Sequence, residues 1–246
     1  MKKLGRVFLA LFLLANIFEL SAQDIPVLQP TLLHSNTYTY AQQIKWEKYL
    51  AKIEKGSQDE SELFDEEKQM KKLYYDAKGP ITSVGEGKWY CGGGLDKITA
   101  SSILSSQRKY NFEVDNIHDF NVFTAWAPSD KKNPIGEKIN FHFKSKWSAP
   151  GAKFNKIFVW NGYIRNTELW KQYSRVAKFK LHANNRPIAI LQLQDVDNTQ
   201  VFSIKPIGPE VKKDLVLTFE IMEIYQGSFF SDVIVSEINF DCLDVL

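Results

Sequence analysis

Two stretches of this chain concentrate the side chains that could do chemistry. The run Asn116-Ile-His-Asp-Phe-Asn-Val-Phe-Thr-Ala-Trp126 places a carboxylate, amides, a hydroxyl and an indole within eleven residues. Its apolar positions follow neither the helical period nor strict alternation, so it reads as a loop that either binds something or ties a fold together. Downstream, Trp160-Asn-Gly-Tyr-Ile-Arg165, followed by Trp170 and Tyr173, sets aromatic rings beside an amide and a guanidinium. A pyranose offers one apolar face and a rim of hydroxyls. Aromatic surface with planar polar neighbours suits it, and each hydrogen bond to a charged group contributes about 1.5–3 kcal/mol. The same rings could equally fill a core, because aromatics are 13% of the chain.

Signs of catalysis or of metal–nitrogen chemistry are missing. His34, His118, His142 and His182 are dispersed, without ligand spacing between them. The chain has no Gly-x-Ser-x-Gly elbow and no His-Glu-x-x-His helix, and Gly92-Gly93-Gly94 does not follow a phosphate-binding pattern. A glycosidase needs two carboxylates about 5–9.5 Å apart, a separation that sequence alone does not supply. The expectation is a protein with no catalytic residues.

The elements that would hold these stretches are strands. Ile139, Phe141 and Phe143 alternate with Asn140, His142 and Lys144; Ala177, Phe179 and Leu181 alternate with Lys178, Lys180 and His182. Leu215, Leu217, Phe219 and Ile221 form a third such face, and Ile234, Ser236, Ile238 and Phe240 a fourth. Asn184-Asn185 and Gly208-Pro209 supply turn chemistry between runs. The pattern predicts an all-β, antiparallel jelly-roll β-sandwich over residues 89–246, about 155 residues, enough to bury roughly 70% of the unfolded surface. Lys178, Lys180 and His182 would share one solvent face, either a solvated stripe or a contact for anionic glycans.

Residues 23–88 differ in composition and predict a helical N-terminal extension. Trp46, Tyr49, Leu50 and Ile53 recur at helical spacing, and Ser57-Gln-Asp-Glu60 has the form of a capping box before a second helix carrying Leu63, Phe64, Met70, Leu73 and Tyr74. It reads as a solvated helical hairpin or as the contact for an envelope protein partner. Residues 1–22 combine a basic start, an apolar run of 12 residues (Val7 to Phe18) and a small-residue site ending at Ala22. That run is shorter than the roughly 20 residues of a membrane span, so a cleaved signal peptide is expected, with no membrane span once it is removed. The leader holds Lys2, Lys3, Arg6 and Glu19, so its removal takes the formal charge from +2 to zero and leaves no electrostatic footprint for nucleic acid. Cys91 and Cys242 bracket the β-rich part. In an oxidising compartment they read as a disulfide, worth roughly 5 kcal/mol as an upper bound, with two independent buried thiols as the alternative.

Seven short motifs occur in an order that resembles the NADase-type glycan-binding domain, a discoidin-like (galactose-binding-like) sandwich also found as the non-catalytic front domain of a streptococcal NAD glycohydrolase. They are Ile98–Ser102, Asn116–Trp126, Ile135–Glu137, Val159–Tyr163, Arg175–Lys178, Tyr225–Gly227 and Asp232–Ile238. The resemblance covers roughly residues 89–242. It implies carbohydrate binding by a bacterial protein that is secreted, periplasmic or on the cell surface, and no NAD-cleaving activity, since the chain stops at Leu246. The implied glycan-binding set is Trp160, Asn161, Tyr163, Arg165, Tyr173, Arg175 and Tyr225. Sandwiches of this kind also hold a structural calcium, for which Asp119, Asn121, Thr124 and Glu237 could supply oxygens. The family's Asp-Gly-Asp is here Asp119-Phe120-Asn121, which leaves a metal-free loop as the alternative.

Overall fold

The computed structural model describes residues 25–35, 40–56, 64–65, 67–69, 93–105, 110–129, 133–148 and 151–242. Ten strands are described: β1 (Val27–Leu28), β2 (Thr31–Ser35), β3 (Gly93–Ala100), β4 (Lys138–Ser148), β5 (Phe154–Asn161), β6 (Arg175–Ala183), β7 (Arg186–Gln192), β8 (Asn198–Ile207), β9 (Leu215–Tyr225) and β10 (Val235–Cys242). They form a six-stranded sheet in the order β1-β7-β6-β9-β4-β3 and a four-stranded sheet in the order β10-β5-β8-β2. From β4 onward the chain passes repeatedly between the two sheets, and every pairing is antiparallel except β1 with β7. The chain is an all-β sandwich, as its alternation predicts.

Alternation places the core between the sheets. Ile139, Phe141 and Phe143 of β4, Phe179 and Leu181 of β6, and Leu217, Phe219 and Ile221 of β9 are buried in one cluster with Ile157, Val159, Phe202, Ile238 and Phe240. Phe240 anchors it, with ring centroids 5.0 Å from both Phe141 and Phe154 and 5.6 Å from Phe143. On the outer face of the larger sheet two members of the expected basic stripe meet carboxylates: Lys178 pairs with Glu223 at 2.8 Å and His182 meets Glu220 at 2.9 Å. Asn184 and Asn185 both take positive φ in the β6–β7 hairpin, the conformation that Asn tolerates best after Gly. Gly94 has φ +54, and a Cβ there would lie 2.6 Å from the Lys144 carbonyl oxygen, so only glycine lets β3 approach β4.

Within the stretch expected to form the N-terminal extension, Ile25 to Ser35 pairs with the sheets. β1 adds to the β7 edge (Val27 opposite Ile190), and β2 adds to the β8 edge (Thr31 opposite Val201). This short polar-apolar segment has weak periodicity and takes strand form only because two open edges offer hydrogen bonds. β10 is buried on both faces: Glu237 and Asn239 are as buried as Ile238 and Phe240. The loop from Ile117 to Phe123 covers that outer face.

The expected first helix is α1 (Tyr40–Glu54), with Trp46 buried. Ser57–Glu60 lies outside the described residues; the helical residues that are described there begin at Asp65, with the Phe64 N–H donating to the Glu67 carboxylate at 2.9 Å. The signal peptide and Cys91 also lie outside, and with Cys91 the disulfide. Among the described residues no helix is long and apolar enough to cross a membrane.

Candidate ligand-binding site

The candidate glycan-binding and oxygen-donor residues lie toward one end of the sandwich. The β3–β4 connection, the β5–β6 connection with its short helix α2 (Thr167–Gln172), the β7–β8 loop and the β9–β10 loop meet there. The Asn116–Trp126 run ties this end down. Trp126 forms a two-way backbone bridge to Val235 at 2.9 and 3.0 Å, and its Nε1 donates to the Ser102 carbonyl. The Asn116 amide donates to the carbonyls of Asn111 and Ala125. His118 Nδ1 donates to the Ile238 carbonyl at 2.7 Å, and burial lowers its pKa from 6.5 to about 4.

The proposed glycan set divides on burial. Trp160 exposes nothing: it packs on the outer face of the smaller sheet with Val122, Phe123, Phe158 and Ile164, so it cannot stack on a ligand. Asn161 is also buried, its amide donating to the Val176 carbonyl and accepting from the Val176 N–H. Arg175 is held by a fork onto Asp195 at 2.7 and 3.1 Å, donates to the carbonyls of Trp170 and Tyr173, and lies 4.4 Å from the Trp170 ring centroid. Gly162 makes this knot possible, since a Cβ would meet Trp170 at 2.7 Å and Arg175 at 2.8 Å. Tyr225 donates its hydroxyl to the Leu193 carbonyl. All four are engaged within the fold, and Trp160 and Asn161 finish β5.

Tyr163, Arg165 and Tyr173 do come together, and with residues the sequence did not nominate. Tyr110 meets Tyr163 at 5.7 Å, Tyr163 meets Tyr173 at 5.7 Å, Tyr173 stacks on Phe230 at 4.4 Å, and Phe230 meets Phe229 at 4.7 Å. The row is buried at Tyr163 and Tyr173 and opens at both ends, where Tyr110 and Phe230 are half-buried and Phe229 is 76% exposed. The Arg165 guanidinium lies 5.1 Å from the Tyr110 centroid and donates to the Tyr163 hydroxyl. Asp232 is close enough to Tyr173 for its charge to help raise that phenol above its ordinary pKa, after burial. The β9–β10 loop is fixed before any ligand arrives: the N–H groups of Ser228, Phe229 and Phe230 donate to the last carbonyls of α2, and Ser174 Oγ bonds at both Gly227 and Phe230. Tyr110 lies more than a hundred residues before Phe229 and Phe230 in sequence, and only the meeting of loops unites them.

The oxygen donors form a second cluster, under the Asp119–Thr124 loop. Asp119 accepts from the Asn121 N–H and the Thr124 hydroxyl, and Asn121 Oδ1 accepts from the Phe123 N–H. Phe120 takes φ +62, the left-handed region that favours glycine, and its N–H donates to Glu237. Burial raises Asp119 above the usual carboxylate range, against hydrogen bonds from Thr124, Asn121 and Glu237. Glu237 is fully buried on β10, and two residues on, the Asn239 amide donates to it while Asn239 Oδ1 meets no partner among the described residues. Two carboxylates and an orphaned amide oxygen fit the hard-oxygen preference of calcium. Asn239 was not foreseen. Among the described residues, no three His, Cys, Asp or Glu converge, so the fit rests on amide oxygens as well as carboxylates.

Comparison with known proteins adds the following. The chain is similar to a structure of the CBM32-1, CBM32-2 and M60 catalytic domains from Clostridium perfringens ZmpB (13% identity, TM-score 0.46, covering 70% of this chain and 16% of that one). It is similar to arabinofuranosyltransferase AftD from Mycobacteria (15% identity, TM-score 0.42, 61% and 12%). It is also similar to the family 32 carbohydrate-binding module of Streptococcus pneumoniae EndoD (7% identity, TM-score 0.40, 59% and 96%). The chain thus spans a small fraction of the first two. No curated protein matches it. The family model described as the NAD glycohydrolase translocation F5/8 type C domain matches residues 89–241, most of the chain, and to that family this chain belongs.

Proposed function

We propose that this is a secreted or surface-held bacterial binding module without catalytic activity, which takes a cell-surface or envelope glycan on the aromatic row at the loop end of its sandwich. The observation that carries the reading is the row itself. Tyr110, Phe230 and Phe229 offer apolar faces, Tyr173 backs Phe230 from beneath, and Arg165 and Asp232 stand beside them as donor and acceptor for sugar hydroxyls. The loop is held by hydrogen bonds to α2, so little ordering opposes binding. Calcium bound by Asp119, Glu237 and Asn239 would fix the neighbouring loop and neutralise its carboxylates.

A glycan array probed with residues 23–246 tests the reading, beside a second form lacking residues 36–88. Both forms are expected to bind the same glycans. Residues 25–35 stay in both because they belong to the sandwich. Silence across broad glycan classes would remove the glycan claim, and binding to an envelope protein that is lost with residues 36–88 would move the function to the helical segment.

A further inference from the structure

Between the β3–β4 connection and the β9–β10 loop lies a cleft of about 330 Å³ that the row does not fill. Its more buried lining is apolar, from Pro128, Pro134 and Ile224, and its more exposed lining is polar, from Asn133, Gln226, Ser231 and Asp232. That volume stands at the lower end of small-molecule pockets, with room for one ring rather than a chain. The walls are in place before a ligand arrives. The Ser174 N–H donates to the Asp232 carbonyl at 3.0 Å, and Ser174 pairs with Val233 in a short parallel bridge. The Ser129 N–H donates to Ser102 Oγ at 3.0 Å. Asn133 Oδ1 accepts from the Ile135 N–H at 3.0 Å, a local turn that fixes the amide and directs its own N–H groups as donors.

One short loop serves both the row and the cleft. Phe229 and Phe230 belong to the row, while Gln226 just before them and Ser231 and Asp232 just after them line the cleft. Neighbouring Cα atoms are about 3.8 Å apart, so the step from Phe230 to Ser231 carries the surface from ring to cleft. Asp232 joins the two, since it lines the cleft and lies close enough to Tyr173, the ring that backs Phe230, for its charge to act there. Apolar lining beside two planar amides, a hydroxyl and a carboxylate suits the carbon face and the hydroxyl rim of a pyranose. Two linked rings lose their translational and rotational freedom once, so a second subsite raises affinity by more than a separate ring in it would show.

We propose that this cleft is a second sugar subsite, holding the residue linked to the one on the row, so that the ligand is an oligosaccharide segment of at least two residues rather than a single terminal sugar. The inference rests on the reading of the row as the glycan surface. Galactose, glucose, mannose and N-acetylglucosamine, each as the monosaccharide and as its di- and trisaccharide, titrated into residues 23–246, test it. In a series that binds, the disaccharide should bind about tenfold or more tightly than its monosaccharide. Gln226→Ala with Ser231→Ala, both at exposed positions, should weaken the disaccharide about fivefold and leave the monosaccharide unchanged, because a single ring stays on the row. Phe229→Ala should weaken both. Circular dichroism and thermal melts confirm that the variants fold. Equal affinity for mono- and disaccharide, or a disaccharide indifferent to the double variant, would overturn the subsite while leaving the row as a surface for one sugar. Silence toward every sugar, or indifference of both sugars to Phe229→Ala, would overturn the row and the subsite with it.

Discussion

At the scale of single residues, type was legible and role was not. Trp160, Asn161 and Arg175 have the chemistry that recognises a sugar, and the fold uses it to hold itself. Trp160→Phe should keep the fold, because the indole N–H meets no partner among the described residues, whereas Trp160→Ala should cost about 3–5 kcal/mol in urea unfolding. The Trp160→Phe protein should bind ligand unchanged; lost affinity with intact stability would return Trp160 to the binding surface. Arg175→Ala removes a buried fork and its carbonyl contacts, and should cost about 3 kcal/mol, with Arg175→Lys recovering only part. His118 gives a pH dependence of definite sign. The unfolded chain takes up its proton near 6.5 and the folded chain only near 4. Its contribution is therefore complete above about pH 6.5 and is lost as pH falls toward 4, by about 3 kcal/mol. Asp119 acts in the opposite sense: its raised pKa favours the folded state at low pH, an advantage lost as pH rises through the folded value. Urea midpoints from pH 7 down to 4, for the parent and for His118→Asn, should show a flatter profile in the variant.

At the scale of elements, the alternating strands and α1 were visible because period reports burial directly. β4, β6 and β9 have the faces their sequences describe. Period fails where a second layer covers a strand, as the Ile117–Phe123 loop covers β10, and where pairing comes from an open edge, as for β1 and β2. Phe240→Ala, which removes a ring in contact with those of His118, Phe141, Phe143, Phe154 and Phe219, should cost about 3–5 kcal/mol. Removing residues 23–35 should expose the β7 and β8 edges and lower both the melting temperature and solubility; an unchanged melt would show that these edge strands contribute nothing. Calcium should raise the melting temperature of the parent and a chelator should lower it, with Asn239→Ala reducing the difference. An unchanged melt would leave the Asp119 loop metal-free.

At the scale of the whole molecule, the loop end of the sandwich is assembled from segments distant in the chain, which sequence alone could not bring together. The order of seven motifs placed the chain in its family, but the aromatic row needed three dimensions: Tyr110 looks like a loop tyrosine and Phe229-Phe230 like a hydrophobic pair after a glycine. The central claim is that this row is the ligand surface. Calorimetric titration of an array-selected glycan into the parent, Tyr173→Ala, Phe229→Ala and Trp160→Phe tests it most directly. The account predicts saturable binding to the parent and to Trp160→Phe, weakened about tenfold or more in the two row variants. Equal affinity in all four proteins would contradict it.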